Sequence, residues 1–331
     1  MDTLAGRLPP LGTAAIRAAL AAASESLGKD FLSVADGVPE EFSLSGPSEA
    51  RDPRNGTIVF IGSPEAAAEA RARELAGCLV IAPFEAWADF LAVRNLLARA
   101  KNPKYAYAVV AGALYPLAAW RGVLEREIGQ GSWAAPDARI GKDTIVEPGV
   151  TVGRGARIGQ GCILMHGCSI GPFVEIGDGS VVGEKAVVGD LGFGFAFDEG
   201  RPPLRLPQIG GVSVGKDVEI GAFATIGAGT MRPTIIEDHV KISDHVHIAH
   251  NCRIGAESIL TCGVMVSGSA VIGRGCWLAP GAILRNGIAL GAEVTVGMGA
   301  VVTGDVASGL TVMGIPARPV DRPVGKPVSR P

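Results

Sequence analysis

Residues 236–260 read IEDHVKISDHVHIAHNCRIGAESIL, and the aliphatic residues Ile236, Ile242, Ile248, Ile254 and Leu260 fall in it every six places. The interval continues through Val266, Ile272, Leu278, Leu284, Leu290, Val296 and Val302. Upstream it runs through Ile140, Val146, Val152, Ile158, Leu164, Ile170, Ile176, Val182 and Val188, then Val214, Ile220 and Ile226, with a four-residue slip around Arg232 and Pro233. Neither a helix of period 3.6 nor an isolated strand of period 2 produces this grid. A solenoid does. Each hexad supplies one short strand and one turn, its leading aliphatic side chain points to the axis, and three hexads close a coil with three flat faces. Residues 18 apart then stack, and each coil covers the backbone groups of the one beneath. The hexads amount to eight coils, a parallel β-helix of roughly 38 Å at about 4.8 Å per strand.

The grid assigns the small residues as well. Glycine follows the leading residue at Gly159, Gly171, Gly273 and Gly291, as suits a corner where a side chain would clash or φ must be positive. Four places after the leading residue stand Val150, Ala156, Ala186, Ala224, Val264 and Ala270, and also Cys162, Cys168, Cys252 and Cys276. These cysteines therefore read as small buried hydrophobes. Cys262 falls on a turn, and no two cysteines are spaced as CxxC, so zinc-ribbon spacing is absent.

Bulk properties narrow the class. The 331 residues suffice for two cores. A net charge of -3 leaves no basic footprint for nucleic acid or for an acidic membrane surface. No apolar run approaches the length of a membrane span. Met1-Asp2-Thr3-Leu4 carries no basic stretch leading into an apolar one, so no signal peptide is expected and the reading is cytoplasmic.

Residues 1–133 do not obey the grid and read as a small α/β domain. Strands are expected at Thr57–Ile61 and Cys78–Ala82, and helices at Pro64–Ala76, Pro83–Ala100 and Tyr105–Leu114. The β-helix domain spans 134–313 and carries a loop insertion at 189–213, whose aromatic run Phe193, Phe195 and Phe197 marks it as functional. Residues 314–331, rich in proline, form a short extended C-terminal tail.

Four of the five histidines lie between His239 and His250. A zinc site would want matched geometry with acidic or thiolate partners, and no metal is expected. His250 is the informative one. It follows inward-facing Ile248 by two places, which sends it outward, and Gly268 stacks one coil above it. An imidazole suits the base that takes a proton from an attacking amine. A glycine beside it leaves an N–H open to an oxyanion. His247 lines the same groove, while His166, His239 and His245 read as turn residues.

Hexad β-helices of this kind resemble the left-handed hexapeptide-repeat acyltransferases, a superfamily of homotrimers with sites between subunits. Four segments narrow the resemblance: Gly192–Ala196 leading to Leu206–Gly210, then Val218–Ala222, then His247–Asn251, then Val266–Ser269. In this order they look like the UDP-3-O-acylglucosamine N-acyltransferases of lipid A synthesis. Phe60 and Lys101-Asn102-Pro103 extend the likeness into the N-terminal domain. The resemblance implies transfer of an acyl chain from acyl carrier protein to the amine of a UDP-aminosugar, with no bound cofactor. It gives His250 the role of general base and Gly268 that of oxyanion donor. It implies substrate contacts at His247, Asn251, Phe193, Phe195 and Phe60, and it lets Asp244 orient His250 of a neighbouring subunit. The chain departs from the pattern in three places. Gly227-Ala228-Gly229 stands for the usual Asp-Arg-Gly, Leu284-Arg285-Asn286-Gly287-Ile288 lacks a second histidine, and Ser63 and Ala66 replace the asparagine and ring-stacking tyrosine of the uridine motif. The ending Gly314–Val320 looks more like sugar acetyltransferases that use acetyl-CoA, making Arg318 a phosphate contact for either donor. Acetyl-CoA-dependent N-acetylation of another nucleotide-linked aminosugar is the alternative.

Overall fold

The computed structural model describes residues 10–28, 30–34, 38–50, 52–117 and 122–320. Met1–Leu4, read above for a leader, and the tail beyond residue 320 lie outside them. Two compact units divide the chain: residues 1–120 with Gly194–Pro207, and residues 121–193 with 208–331. Among the described residues, no helix is long and apolar enough to cross a membrane.

The second unit is a parallel β-helix. Its strands are mostly two residues long, as at Arg157–Ile158, and each pairs in parallel with the strand 18 residues on, Ile158 opposite Ile176. The Arg157 and Gly159 amides donate to the Val174 and Ile176 carbonyls at 2.8 and 2.7 Å. Three sheets result, two of ten strands and one of eight. An antiparallel hairpin extends one sheet at each end, Arg126–Gly129 on Ser132–Ala134 and Thr311–Gly314 on Ala317–Pro319. The predicted extended tail thus begins as a hairpin.

The aliphatic grid lines the axis. Val152, Leu164, Val188, Ile226, Ile248, Leu260 and Leu284 are fully buried, and only the first coil, with Ile140 and Val146, is partly open. Each such side chain contributes about 1.5–3 kcal/mol through burial. The second interior position is small because it faces a corner. There Ser258 Oγ donates to the Gly273 carbonyl at 2.9 Å and Cys252 Sγ to that of Ser267 at 3.2 Å. A hydroxyl or thiol at this place satisfies a carbonyl of the next coil.

Corner glycines are of two kinds. At Gly159, directly after the leading residue, an added Cβ would lie 2.6–2.8 Å from atoms of Asp178 and Gly177. Close approach of neighbouring coils excludes a side chain there. Two residues on, Gly161 has φ +62 and nothing near its Cβ position. Only this second place is left-handed, and Asp143, Lys185, His239, His245 and Glu257 share it.

The coil rhythm breaks twice. Val188 pairs with Ile226, 38 residues on, because the chain leaves the helix between Asp190 and Val212. Ile226 pairs with Ile248, 22 residues on, because residues 228–233 bulge outward.

The first unit holds a four-stranded sheet in the order Leu32–Val34, Leu96–Ala100, Leu79–Ala82, Ile58–Phe60, parallel except for its first strand. Helices α1 (Thr13–Leu27), α2 (Pro64–Ala72) and α3 (Pro103–Leu114) accompany it. Ser63 and Asn102 cap α2 and α3, accepting from the Ala66 and Tyr105 amides. The expected helix over Pro83–Ala100 is instead a 3-10 segment, Ala86–Val93, followed by the strand Leu96–Ala100. That strand pairs on both sides and buries Ala98 and Ala100 completely. Tertiary pairing outweighs the helical preference of its alanines and leucines. Helix α1 carries no reading from the sequence.

The excursion from the β-helix contributes to this unit the hairpin Phe195–Ala196 with Leu204–Arg205. Asn102 Nδ2 donates to the Phe197 carbonyl at 2.9 Å, and Tyr105 Oη to that of Pro202 at 3.0 Å. The Arg201 guanidinium lies 4.7 Å from the Phe31 ring and donates to the Leu27 carbonyl at 3.1 Å.

The glycine classes make a prediction. Gly159→Ala must push two coils apart and is expected to cost about 1–3 kcal/mol, as overpacking does. Gly161→Ala meets only the left-handed penalty, about 1 kcal/mol. Thermal unfolding followed by circular dichroism checks the order, and an equal or smaller loss at Gly159 contradicts the packing.

Candidate active site

His247 and Ile248 form a strand, and His250 and Asn251 turn the corner after it. Ile248 is fully buried on the axis, so the alternation of the strand turns His247 outward. His247 is exposed, with Nδ1 2.7 Å from Oγ1 of Thr225, its partner one coil down.

His250 is half-buried, its Nδ1 shielded from solvent. Its ring occupies the space that a side chain at residue 268 would need: a Cβ on Gly268 would sit 3.0 Å from both Cε1 and Nε2. The Ser269 amide donates to the His250 carbonyl at 2.9 Å and fixes the two corners in register. The Gly268 amide donates to no acceptor among the described residues. At the equivalent corner position, the amides of Gln160, Lys216, Ala222 and Ala292 are capped by the side chains of Asp178, Asp238, Asp244 and Ser308. An imidazole edge beside an open backbone donor can take a proton from an amine while the N–H stabilises a developing oxyanion.

More glycines crowd the same histidine. A Cβ on Gly192 would lie 2.8 Å from His250 Cβ and 2.7 Å from Gln208 Oε1, and one on Gly227 would lie 3.1 Å from the His250 nitrogen. Gly227, a departure from the family pattern, therefore lets the next coil close on the His250 backbone.

Asn251 turns inward rather than toward the groove. Its Oδ1 accepts from the Thr230 amide at 2.7 Å and its Nδ2 donates to Thr230 Oγ1 at 3.1 Å. Thr230 Oγ1 in turn donates to Gln208 Oε1 at 3.2 Å, and Gln208 is fully buried. Thr234 Oγ1 accepts from the Asn251 amide at 3.0 Å and donates to the Gly227 carbonyl at 2.7 Å. The sequence reading missed Gln208, Thr230 and Thr234. The signal for the two threonines was the four-residue slip, which builds the bulge that holds Thr230 and leads into Thr234.

The remaining candidates are dispersed. Asp244 caps the Ala222 amide at 2.8 Å, on another face from His250. Phe193 is 81% exposed, at the edge of the second unit. Phe195, with the Arg205 guanidinium 4.7 Å from its ring, and Phe60, 5.3 Å from the Tyr107 ring, belong to the first unit. Arg318 is exposed on the terminal hairpin. The other histidines have separate partners: His166 with Glu147, His239 with Asp217 at 3.6 Å, and His245 stacked on Phe223 at 5.2 Å. Among the described residues, no three His, Cys, Asp or Glu side chains converge as a metal site requires.

Two repeat models match the coil. The bacterial transferase hexapeptide (six repeats) covers residues 155–190, and the hexapeptide repeat of succinyl-transferase covers 137–166 and 269–304. Among solved structures, the UDP-N-acetylglucosamine acyltransferase of Campylobacter jejuni superposes with a TM-score of 0.54 at 25% identity, over 59% of this chain and 74% of that one. The Bacteroides fragilis protein of the same description gives 0.52 at 21% identity, over 59% and 74%, and shares the fold. The class is thus the left-handed hexapeptide-repeat β-helix of acyltransferases. UDP-3-O-acylglucosamine N-acyltransferase of Herminiimonas arsenicoxydans is 42% identical over 118 residues, 36% of this chain and 33% of the relative. That of Dechloromonas aromatica is 50% identical over 86 residues, 26% and 24%. The match spans only about a quarter to a third of the length of these curated relatives. Over that stretch the chain is similar to the UDP-3-O-acylglucosamine N-acyltransferases.

The cysteines supply a check on the core. Burial pushes the Cys168 and Cys252 thiols up to about 12 and about 11, whereas Cys262 is exposed. In the native protein an aromatic disulfide reagent is expected to modify Cys262 rapidly and the other five only after denaturation. Rapid reaction of a second thiol contradicts this packing.

Proposed function

We propose that this chain transfers an acyl group from an acyl thioester to the amine of a UDP-linked glucosamine, as in lipid A synthesis. The observation that carries the reading is the His250 ring set against Gly268, whose amide is left open. As the sugar amine attacks the thioester carbon, His250 accepts one of its protons through Nε2. The C–N bond forms and the carbonyl electrons move onto oxygen, where the Gly268 N–H meets them. Collapse of the tetrahedral intermediate expels the thiolate, and the imidazolium returns the proton to sulfur. Amide and free thiol result, and no redox or metal step is needed.

The donor in this reading is acyl carrier protein, with acyl-CoA as its chemical alternative, and the setting is the cytoplasm. The site lies between subunits of a homotrimer, where Asp244 of one copy faces His250 of the next. In this reading His247, Phe193 and Phe195 contact the sugar, Phe60 meets the nucleotide base, and Arg318 takes a donor phosphate.

With long-chain acyl carrier protein and a UDP-aminosugar, mass spectrometry is expected to show amide product. His250→Ala should lower kcat by about 10²–10⁴-fold, the range for loss of a general base. Gly268→Ala, which displaces the ring by a few tenths of an ångström, should lower it by about 10²-fold. Consumption of acetyl-CoA alone, or full activity of His250→Ala, overturns the reading.

A further inference from the structure

We propose that Gln208, Thr230, Asn251 and Thr234 are positioning residues whose buried hydrogen-bond chain holds the His250 ring against Gly268. The inference rests on the acyl-transfer reading of His250 and adds what keeps that histidine in place.

Three observations carry it. The chain is continuous and largely buried: Gln208 and Thr234 are fully buried, Thr230 is 7% exposed and Asn251 is half-buried. Five bonds link it, from Thr230 Oγ1 to Gln208 Oε1, from Asn251 Nδ2 to Thr230 Oγ1, from Thr230 N to Asn251 Oδ1, from Asn251 N to Thr234 Oγ1, and from Thr234 Oγ1 to the Gly227 carbonyl. It also bears on His250 from two sides. Thr234 fixes the peptide that joins His250 to Asn251, and the Gln208 carboxamide and His250 Cβ share the space at Gly192.

It is also peculiar to this corner. Asn251 occupies the left-handed position, with φ 61. The polar residues at the same position of other corners, Asp143, Lys185, His239 and Glu257, are exposed. A solenoid corner needs no carboxamide tied into a hydrogen-bond chain to turn. Buried polar groups cost stability unless fully paired, and a fully paired set imposes one geometry. Here that geometry is delivered to the corner that carries the imidazole. Asn251, expected to touch substrate, acts through His250 instead.

The test removes one hydroxyl and keeps the shape. Thr234→Val takes away both the acceptor for Asn251 and the donor to Gly227, and Thr234→Ser restores them. Thr230→Val and Thr230→Ser provide a second pair where the first variant fails to fold. The readout is the rate of carbethoxylation of His250 by diethyl pyrocarbonate, followed by peptide mass spectrometry, with His239 as the internal reference. In Thr234→Val the His250 rate is expected to change by about threefold or more while that of His239 holds. kcat should fall by about tenfold with KM within about twofold, and Thr234→Ser should return both to normal. Unchanged His250 reactivity and kcat in a folded Val variant, or a parallel change at His239, overturns the proposal. Full activity of His250→Ala overturns the acyl-transfer reading instead, whatever the carbethoxylation rates show.

Discussion

Everything in the second unit depends on one condition: the amides of each coil must meet the carbonyls of the next. With two-residue strands there is no other lattice to stabilise the backbone, so the 18-residue step is enforced at every corner. That condition selects an aliphatic residue on the axis, a small one at the neighbouring interior place, and no side chain at Gly159, where backbone approaches backbone. It also explains how cysteine and serine come to share one position: either can donate to the carbonyl left exposed there.

Chemistry is located where the step is broken. Both departures from the coil follow strands of the sheet that carries His247: the chain leaves after Val187–Asp190 and again after Thr225–Gly227. One break brings Gly192 and Gln208 to His250, and the other brings Thr230 and Thr234. Elsewhere, a corner amide capped by an aspartate belongs to the scaffold. At Gly268, as at Cys262 and Arg274, no side chain among the described residues caps the amide, but here an imidazole lies beside it, and in the proposed reaction that amide is the donor for the reacting oxygen.

This division sets what the sequence could disclose. The axis, the buried cysteines and the stacking of Gly268 on His250 follow from counting, because the lattice is periodic there. Asn251 was read as facing substrate because counting says nothing of the bulge at 228–233 that folds over its carboxamide. Outside the lattice, composition misled: Leu96–Ala100 is rich in helix formers, yet it lies between two strands that claim both its edges. The first helix, Thr13–Leu27, has nothing in its alanine-rich stretch that ties it to the repeat, and only its packing partners reveal it.

The hairpin Gly194–Pro207 has a consequence for synthesis. Phe31, Asn102 and Tyr105 find their partners Arg201, Phe197 and Pro202 about a hundred residues or more further along the chain. A ribosome must therefore release the first three coils of the helix before the N-terminal unit has all its parts. Completion of the first-translated domain is deferred until part of the second has been made, and a nascent chain stopped at the first coil carries an N-terminal unit with an unfilled seat.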